Sequence, residues 1–237
     1  LRLGERPFYI AGPCAVESEE QLDAIAGRLA ALGVPLLRGG AFKPRTSPHS
    51  FQGLGWEGLE ILARTAERHG LRTLSEVTDP RQVERAAGLV DVLQIGARNM
   101  YNYELLREVG QSGKPVLLKR AFAATADELL QAAEYIALAG SPDILLCERG
   151  IRTFISDTRY TLDLSVVPLL RRRCPLPVVV DPSHAAGRRD LLIELSRAAF
   201  AVGAQGVMLE VHPDPSTARC DAEQQLSGDD FEALIRA

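Results

Sequence analysis

Short apolar runs recur along the whole chain about every 28 residues, the length of one strand-plus-helix unit. They read Phe8–Ile10, Pro35–Leu37, Thr73–Leu74, Val92–Ile95, Val116–Leu118, Ile144–Leu146, Val178–Val180 and Val207–Leu209. The runs do not alternate with polar residues, which marks strands covered on both faces. Between them the pattern turns helical. Glu19–Ala31 places Leu22, Ile25, Ala26 and Leu29 on one stripe. Glu57–His69 and Ala126–Leu138 repeat that stripe, and Arg189–Ala201 follows it more loosely. Ser18, Thr125 and Thr78-Asp79-Pro80 are helix start signals, and Gly33 and Gly70 are stops. Eight alternating units predict an α/β fold, a single (β/α)8 TIM barrel with helices outside a closed parallel sheet. No linker or low-complexity tract divides the chain, so the expectation is one domain over residues 1–237.

Composition narrows the class. With 46% hydrophobic and 24% charged residues, the 237-residue chain is an ordinary globular sequence, not a disordered or fibrous one. Its apolar runs are too short for a bilayer and no secretory leader is visible, so no membrane association is expected. A net charge of −4 without a basic run argues against nucleic acid as a partner. Cys14, Cys147, Cys174 and Cys220 follow no paired spacing, which fits free thiols in a reducing, cytoplasmic setting. Lysine stands only at positions 43, 114 and 119, against 24 arginines, so a retained ammonium points to chemistry that a guanidinium cannot copy.

In such barrels the chemistry sits at the C-terminal strand ends. Here those ends segregate by residue type. Cys14, His184 and Glu210 follow strands one, seven and eight, and Asp221 lies in the loop after strand eight. Closure places strand eight between seven and one, so these side chains can converge. Singly, Cys14 also reads as a packing residue, His184 as a loop hydrogen-bonder and Asp221 as a helix cap. Jointly, thiol, imidazole and carboxylates favour one divalent transition metal, Mn²⁺, Fe²⁺, Co²⁺ or Zn²⁺. The rest of the rim is basic: Arg38, Lys43, Arg45, Arg98, Lys119 and Arg149. Six cations on one mouth of an acidic protein predict a small, highly anionic substrate. Lys43-Pro44-Arg45-Thr46-Ser47 reads as a phosphate clamp, and the loop from Ser47 to Gly55 as a segment able to close over it.

These segments also carry a resemblance. Gly12-Pro13-Cys14-Ala15-Val16-Glu17-Ser18, Arg38-Gly39-Gly40-Ala41-Phe42-Lys43-Pro44-Arg45-Thr46-Ser47, Gln94-Ile95-Gly96-Ala97-Arg98-Asn99-Met100, Leu117-Leu118-Lys119-Arg120, Cys147-Glu148-Arg149-Gly150-Ile151-Arg152-Thr153, Asp181-Pro182-Ser183-His184 and Glu210-Val211-His212-Pro213 stand in order along the chain. As a set they resemble the 3-deoxy-D-arabino-heptulosonate 7-phosphate (DAHP) synthase family, in its short barrel subtype akin to 3-deoxy-octulosonate 8-phosphate (KDO8P) synthase. The resemblance implies condensation of phosphoenolpyruvate with erythrose 4-phosphate, the first step of the shikimate pathway to aromatic amino acids. It implies a metal on Cys14, His184, Glu210 and Asp221, and phosphoenolpyruvate on Arg38, Lys43, Arg98, Lys119 and Arg149. Arg45 and Thr46 would take the sugar phosphate, Lys43 would transfer a proton, and Cys14 and His184 would act through the metal. A homo-oligomer, dimer or tetramer, is implied as well. Only a few residues precede strand one and one helix follows strand eight, so the regulatory domain that some members carry is not expected. Ala121 departs from the family's Gly after Lys119-Arg120, where Ala would resist a positive φ.

Three rival readings remain at this stage. KDO8P synthase would use arabinose 5-phosphate, but it usually carries Lys-Ala-Asn-Arg where this chain has Lys43-Pro44-Arg45-Thr46. A Schiff-base aldolase on Lys119 leaves the four metal-type ligands unexplained. A barrel that only binds a ligand would be marked by a lost metal-type residue, and none is lost.

Overall fold

The structure, a computed structural model, describes residues 7–45 and 47–236. Eight strands form a closed parallel barrel: β1 (Phe8–Gly12), β2 (Leu36–Arg38), β3 (Arg72–Val77), β4 (Val92–Ile95), β5 (Val116–Lys119), β6 (Ile144–Glu148), β7 (Val178–Val180) and β8 (Gly206–Glu210). Each pairs with the next, and β8 closes on β1 with Glu210 beside Gly12. All eight apolar runs of the sequence are therefore strands, several longer by the polar residue that ends them.

Nine helices lie between and after the strands among the described residues: α1 (Glu19–Ala31), α2 (Trp56–His69), α3 (Val83–Ala87), α4 (Tyr103–Gln111), α5 (Ala126–Ala139), α6 (Val166–Arg173), α7 (Pro182–Ala186), α8 (Leu192–Ala201) and α9 (Gly228–Arg236). The start signals work as the sequence predicts. Ser18 accepts from the Gln21 N–H, and Thr125 and Glu128 form a reciprocal capping box. Asp79 caps a 3₁₀ turn that leads into α3. The helix expected over Arg189–Ala201 is split. Residues Arg189–Leu191 form a 3₁₀ turn, and α8 begins at Leu192, where the apolar stripe begins. The short α3, α4 and α6 offer too few turns for a periodic stripe to stand out in the sequence.

Two layers of core follow from strands covered on both faces. Ile10, Leu36, Leu74, Val92, Leu117, Leu145 and Met208 fill the barrel, while the opposite faces pack under the helices. Gly206 is required inside. A Cβ there would lie 2.7 Å from the Phe8 ring, which closes the N-terminal end. At the other end, a Cβ on Gly12 (φ +147°) would lie 2.1 Å from the Arg38 carbonyl oxygen. This close approach of β1 to β2 sets where Cys14 emerges. Bridges from Ala15 to Gly40 and from Val211 to Leu226 continue the pairing beyond the strands and order the mouth.

Leu117 has no exposed surface and sits in the interior layer. Leu117→Ala is expected to destabilise the fold by about 2–5 kcal/mol, measured by urea unfolding. A loss below about 1 kcal/mol would contradict an interior packed as described.

Candidate active site

Five side chains, basic and acidic in turn, form a chain across the mouth. Arg38 at the end of β2 donates from Nη1 to Glu210 Oε1 at 2.6 Å. That oxygen lies 3.3 Å from His184 Nε2, and His184 Nδ1 is 2.7 Å from Asp181 Oδ2. Lys119 at the end of β5 also donates to Asp181 Oδ2. Asp181 and Glu210 are fully buried. Burial opposes their charge, but His184 with Lys119 at Asp181, and His184 with Arg38 at Glu210, hold both well below the usual carboxylate range. Burial pushes the His184 pKa down against the pull of Asp181. Ligation of a metal takes the neutral imidazole.

Local structure explains the placement of His184. Pro182 opens α7 at a position that needs no amide proton, and the Asp181 side chain accepts from the His184 N–H at 3.0 Å. Asp181 thus caps the helix, orients the ring and holds Lys119 at once. The second oxygen of Glu210 accepts from Gln224 Nε2 at 2.6 Å, and the Glu210 N–H donates to Ser183 Oγ at 3.0 Å.

A second group lies beside this chain. Cys14 Sγ is 2.9 Å from Cys220 Sγ, 3.4 Å from Asp221 Oδ2 and 3.1 Å from Lys43 Nζ. All four cysteines are free. Burial and the Cys220 contact push the Cys14 thiol up, and the same contact pulls Cys220 down. Potential ligand atoms of Cys14, Cys220 and Asp221 lie within 4.8 Å of one another, as do those of His184, Glu210 and Asp221. The expected quartet thus meets as two triads joined at Asp221, with Cys220 beside Cys14. The donors fit a transition metal: a thiol, an imidazole whose other nitrogen is held by a carboxylate, and two carboxylates. Asp221 is not the helix cap that its position allows. It adopts φ 48° and ψ 44°, and its side chain makes no capping bond to the turn that follows. Among the described residues it is the only non-glycine with positive φ, a backbone conformation that costs energy and accompanies functional sites.

The same mouth holds a cavity of about 270 Å³ lined by seven Arg or Lys side chains against Glu76, Asp221 and His184. The six expected cations all line it, and Arg159 joins them. Arg149 is 5% exposed, and its Nη1 finds no partner among the described residues. Burial pushes its pKa down. Its guanidinium carbon lies 4.8 Å from the Phe122 ring and 4.4 Å from the Tyr160 ring, which stack 5.0 Å apart. An unpaired buried donor costs about 1–3 kcal/mol, a cost that an anion bound in the cavity would offset. Ser47 and Ser50 line the same space. Thr46 lies outside the described residues.

The loops carrying these rings are tied by a buried ion cluster. Arg120 Nη1 donates to Glu148 Oε2 and to Asp163 Oδ2, each at 2.9 Å, and Glu148 Oε1 accepts the Gly150 N–H at 2.7 Å. Ala121 fits this loop without a positive φ, and its N–H meets Met100 Sδ at 3.2 Å. The strain expected of an alanine here does not arise.

A family model described as the DAHP synthetase I family matches residues 3–236. The chain belongs to that family. Phospho-2-dehydro-3-deoxyheptonate aldolase of Thermotoga maritima is 53% identical over 237 residues, covering 100% of this chain and 70% of the relative. A 2-dehydro-3-deoxyphosphooctonate aldolase of Syntrophotalea carbinolica is 36% identical over 252 residues, covering 98% of this chain and 90% of its own. The crystal structure of the Thermotoga maritima DAHP synthase superposes with a TM-score of 0.96 at 52% identity, over 99% of this chain and 69% of that one. A truncated form of it gives 0.92 at 48% identity, over 99% and 86%. The match to a DAHP synthetase I barrel agrees with the fold read from the sequence.

Glu148→Leu leaves Arg120, 7% exposed, with Asp163 as its remaining carboxylate. It is expected to destabilise the fold by about 3–5 kcal/mol in urea unfolding. The double variant Arg120→Met with Glu148→Leu is expected to recover most of that loss. A double variant as unstable as the single would contradict the pairing.

Proposed function

We propose that the chain is a DAHP synthase, joining phosphoenolpyruvate and D-erythrose 4-phosphate with one water to give DAHP and inorganic phosphate. The observation that carries this reading is one cavity in which seven Arg or Lys side chains, Arg149 among them with a buried donor left unpaired, stand beside a metal-type donor set. The family and the 53% identity to the Thermotoga maritima relative support it. The product is the first committed metabolite of the shikimate pathway toward aromatic amino acids.

In the reaction, C3 of phosphoenolpyruvate bonds to the aldehyde carbon of the sugar. Water oxygen bonds to C2, and the C2–O bond to the phosphoryl group breaks. Arg98, Lys119 and Arg149, with Arg38 and Lys43, bind the phosphate and carboxylate of phosphoenolpyruvate. Two polyanionic substrates repel each other, and this ring of fixed cations holds them together without reorganising. Lys43 Nζ lies 3.0 Å from the Cys14 carbonyl oxygen. Burial opposes its charge, but Cys14, Cys220 and Glu210 outweigh that and hold it above the ordinary lysine range. It therefore stays an ammonium, a fixed positive charge with protons to share near the bridging oxygen of phosphoenolpyruvate. Cys14, His184, Glu210 and Asp221 would hold one divalent ion, Mn²⁺, Fe²⁺, Co²⁺ or Zn²⁺. When bound, such an ion supplies Lewis acidity toward the acceptor aldehyde. Arg45 and Thr46 receive the acceptor's phosphate, and the short Lys43-Pro44-Arg45-Thr46 loop favours the four-carbon sugar over arabinose 5-phosphate.

The same reading places a single catalytic barrel in the reducing cytoplasm as a dimer or tetramer. No helix among the described residues is long and apolar enough to cross a membrane.

Phosphate release from phosphoenolpyruvate, assayed with each sugar phosphate with and without chelator, tests the reading. Turnover is expected with erythrose 4-phosphate alone, lost on chelation and restored by Mn²⁺. Cys14→Ser and His184→Ala are each expected to lower it at least about 100-fold. Turnover with arabinose 5-phosphate would keep the site and overturn the acceptor. No turnover with either sugar from metal-loaded protein would overturn the assignment.

A further inference from the structure

Arg159 lines the catalytic cavity, yet the sequence motifs give it no role. It stands in the loop between β6 and α6, far in sequence from Arg45, which follows β2. The two meet across one carboxylate. Arg45 Nη1 lies 3.9 Å from Asp221 Oδ2, and Arg159 Nη1 lies 3.6 Å from Asp221 Oδ1. Two guanidinium forks that flank the two oxygens of one carboxylate are spaced for a single oxyanion. Neither fork is used up. Among the described residues each guanidinium donates one hydrogen bond, Arg45 to Cys220 Sγ at 2.8 Å and Arg159 to Gln224 Oε1 at 3.1 Å. A guanidinium has five donors, so both retain several for a ligand.

The backbone fixes Arg159 in this place. Its N–H donates to the Ala186 carbonyl oxygen at 2.9 Å, and the Tyr160 N–H to that of Ala185 at 2.8 Å. The loop is thus bonded to the helix that carries His184. Gly187 (φ +69°) makes room, because a Cβ there would lie 2.6 Å from Arg159 Cβ. Tyr160, next in the chain, stacks on Phe122 under Arg149. One short segment therefore borders both the inner cations and the outer pair.

We propose that Arg159 is a second phosphate-binding arginine for the acceptor sugar, acting with Arg45 as a two-sided clamp above Asp221. The inference rests on the synthase reading given above and adds a specificity residue to it. Arg149 and Lys119 are buried, 5% and 4% exposed, and suit the first substrate. Arg159 flanks Asp221 at the open edge of the cavity, its side chain 40% exposed against 5% for Lys119, so an acceptor whose aldehyde faces the metal-type donors turns its phosphate outward to this fork. The clamp explains how a short sugar is selected by its phosphate: a guanidinium fork on each side matches tetrahedral oxygens bidentately.

The test compares wild type, Arg159→Gln and Arg159→Lys, loaded with Mn²⁺, on erythrose 4-phosphate and on unphosphorylated erythrose. Thermal melts confirm folding, which a side chain 40% exposed should not control. In Arg159→Gln the KM for erythrose 4-phosphate is expected to rise roughly 10- to 100-fold, with the KM for phosphoenolpyruvate within about twofold. Arg159→Lys is expected to fall between. The kcat/KM for erythrose is expected to stay unchanged, since that sugar has no phosphate to lose. Equal losses on both sugars, or a rise in the KM for phosphoenolpyruvate instead, would overturn the clamp while leaving the synthase reading intact. A wild type inactive on erythrose 4-phosphate would overturn both.

Discussion

The mouth of this barrel depends on a buried row of alternating basic and acidic side chains: Arg38, Glu210, His184, Asp181 and Lys119. Each member alone would be costly to bury, since an unpaired ion in a protein interior loses several kcal/mol of hydration. In sequence they are scattered from position 38 to position 210. Only barrel closure, with β8 paired to both β7 and β1, brings them into one line. The row fixes the imidazole between two carboxylates and anchors a cation at each end. A site that must receive two phosphorylated substrates thereby keeps its arginines and lysines apart and in place before any substrate arrives.

The remaining cations are held differently. Arg149 rests against two aromatic rings rather than a carboxylate, and so keeps a free donor. Arg120, one residue after Lys119, is fully engaged by Glu148 and Asp163 and serves the framework. The contrast separates these two arginines by partner: Arg120, paired to two carboxylates, holds the loops, and Arg149, stacked on rings, faces the cavity.

Much of this was legible in the sequence. Strand positions were legible because a sheet covered on both faces leaves unbroken apolar runs, and the long helices because their stripes span three turns. The metal-type quartet and the six cations were legible because strand ends point to one mouth. Cys220 was not, because nothing in a lone loop cysteine shows that it lies 2.9 Å from Cys14; its adjacency to Asp221 was the available signal. Asp181 was visible within a motif, but its threefold task as cap, imidazole partner and lysine anchor depends on the turn into α7. Arg159 was hidden because its position depends on pairing with residues 185 and 186 across the site. The positive φ of Asp221 likewise has no sequence signature, since aspartate carries no glycine-like freedom to mark the turn.

The central claim is that the thiol of Cys14, rather than that of its neighbour Cys220, completes a metal centre with His184, Glu210 and Asp221. The near-ultraviolet thiolate-to-metal charge-transfer absorption of the Co²⁺-loaded protein tests it most directly, because a thiol gives up its proton on ligation. The band is predicted in the wild type and in Cys220→Ser, and absent in Cys14→Ser. A band that survives in Cys14→Ser and disappears in Cys220→Ser would contradict the account.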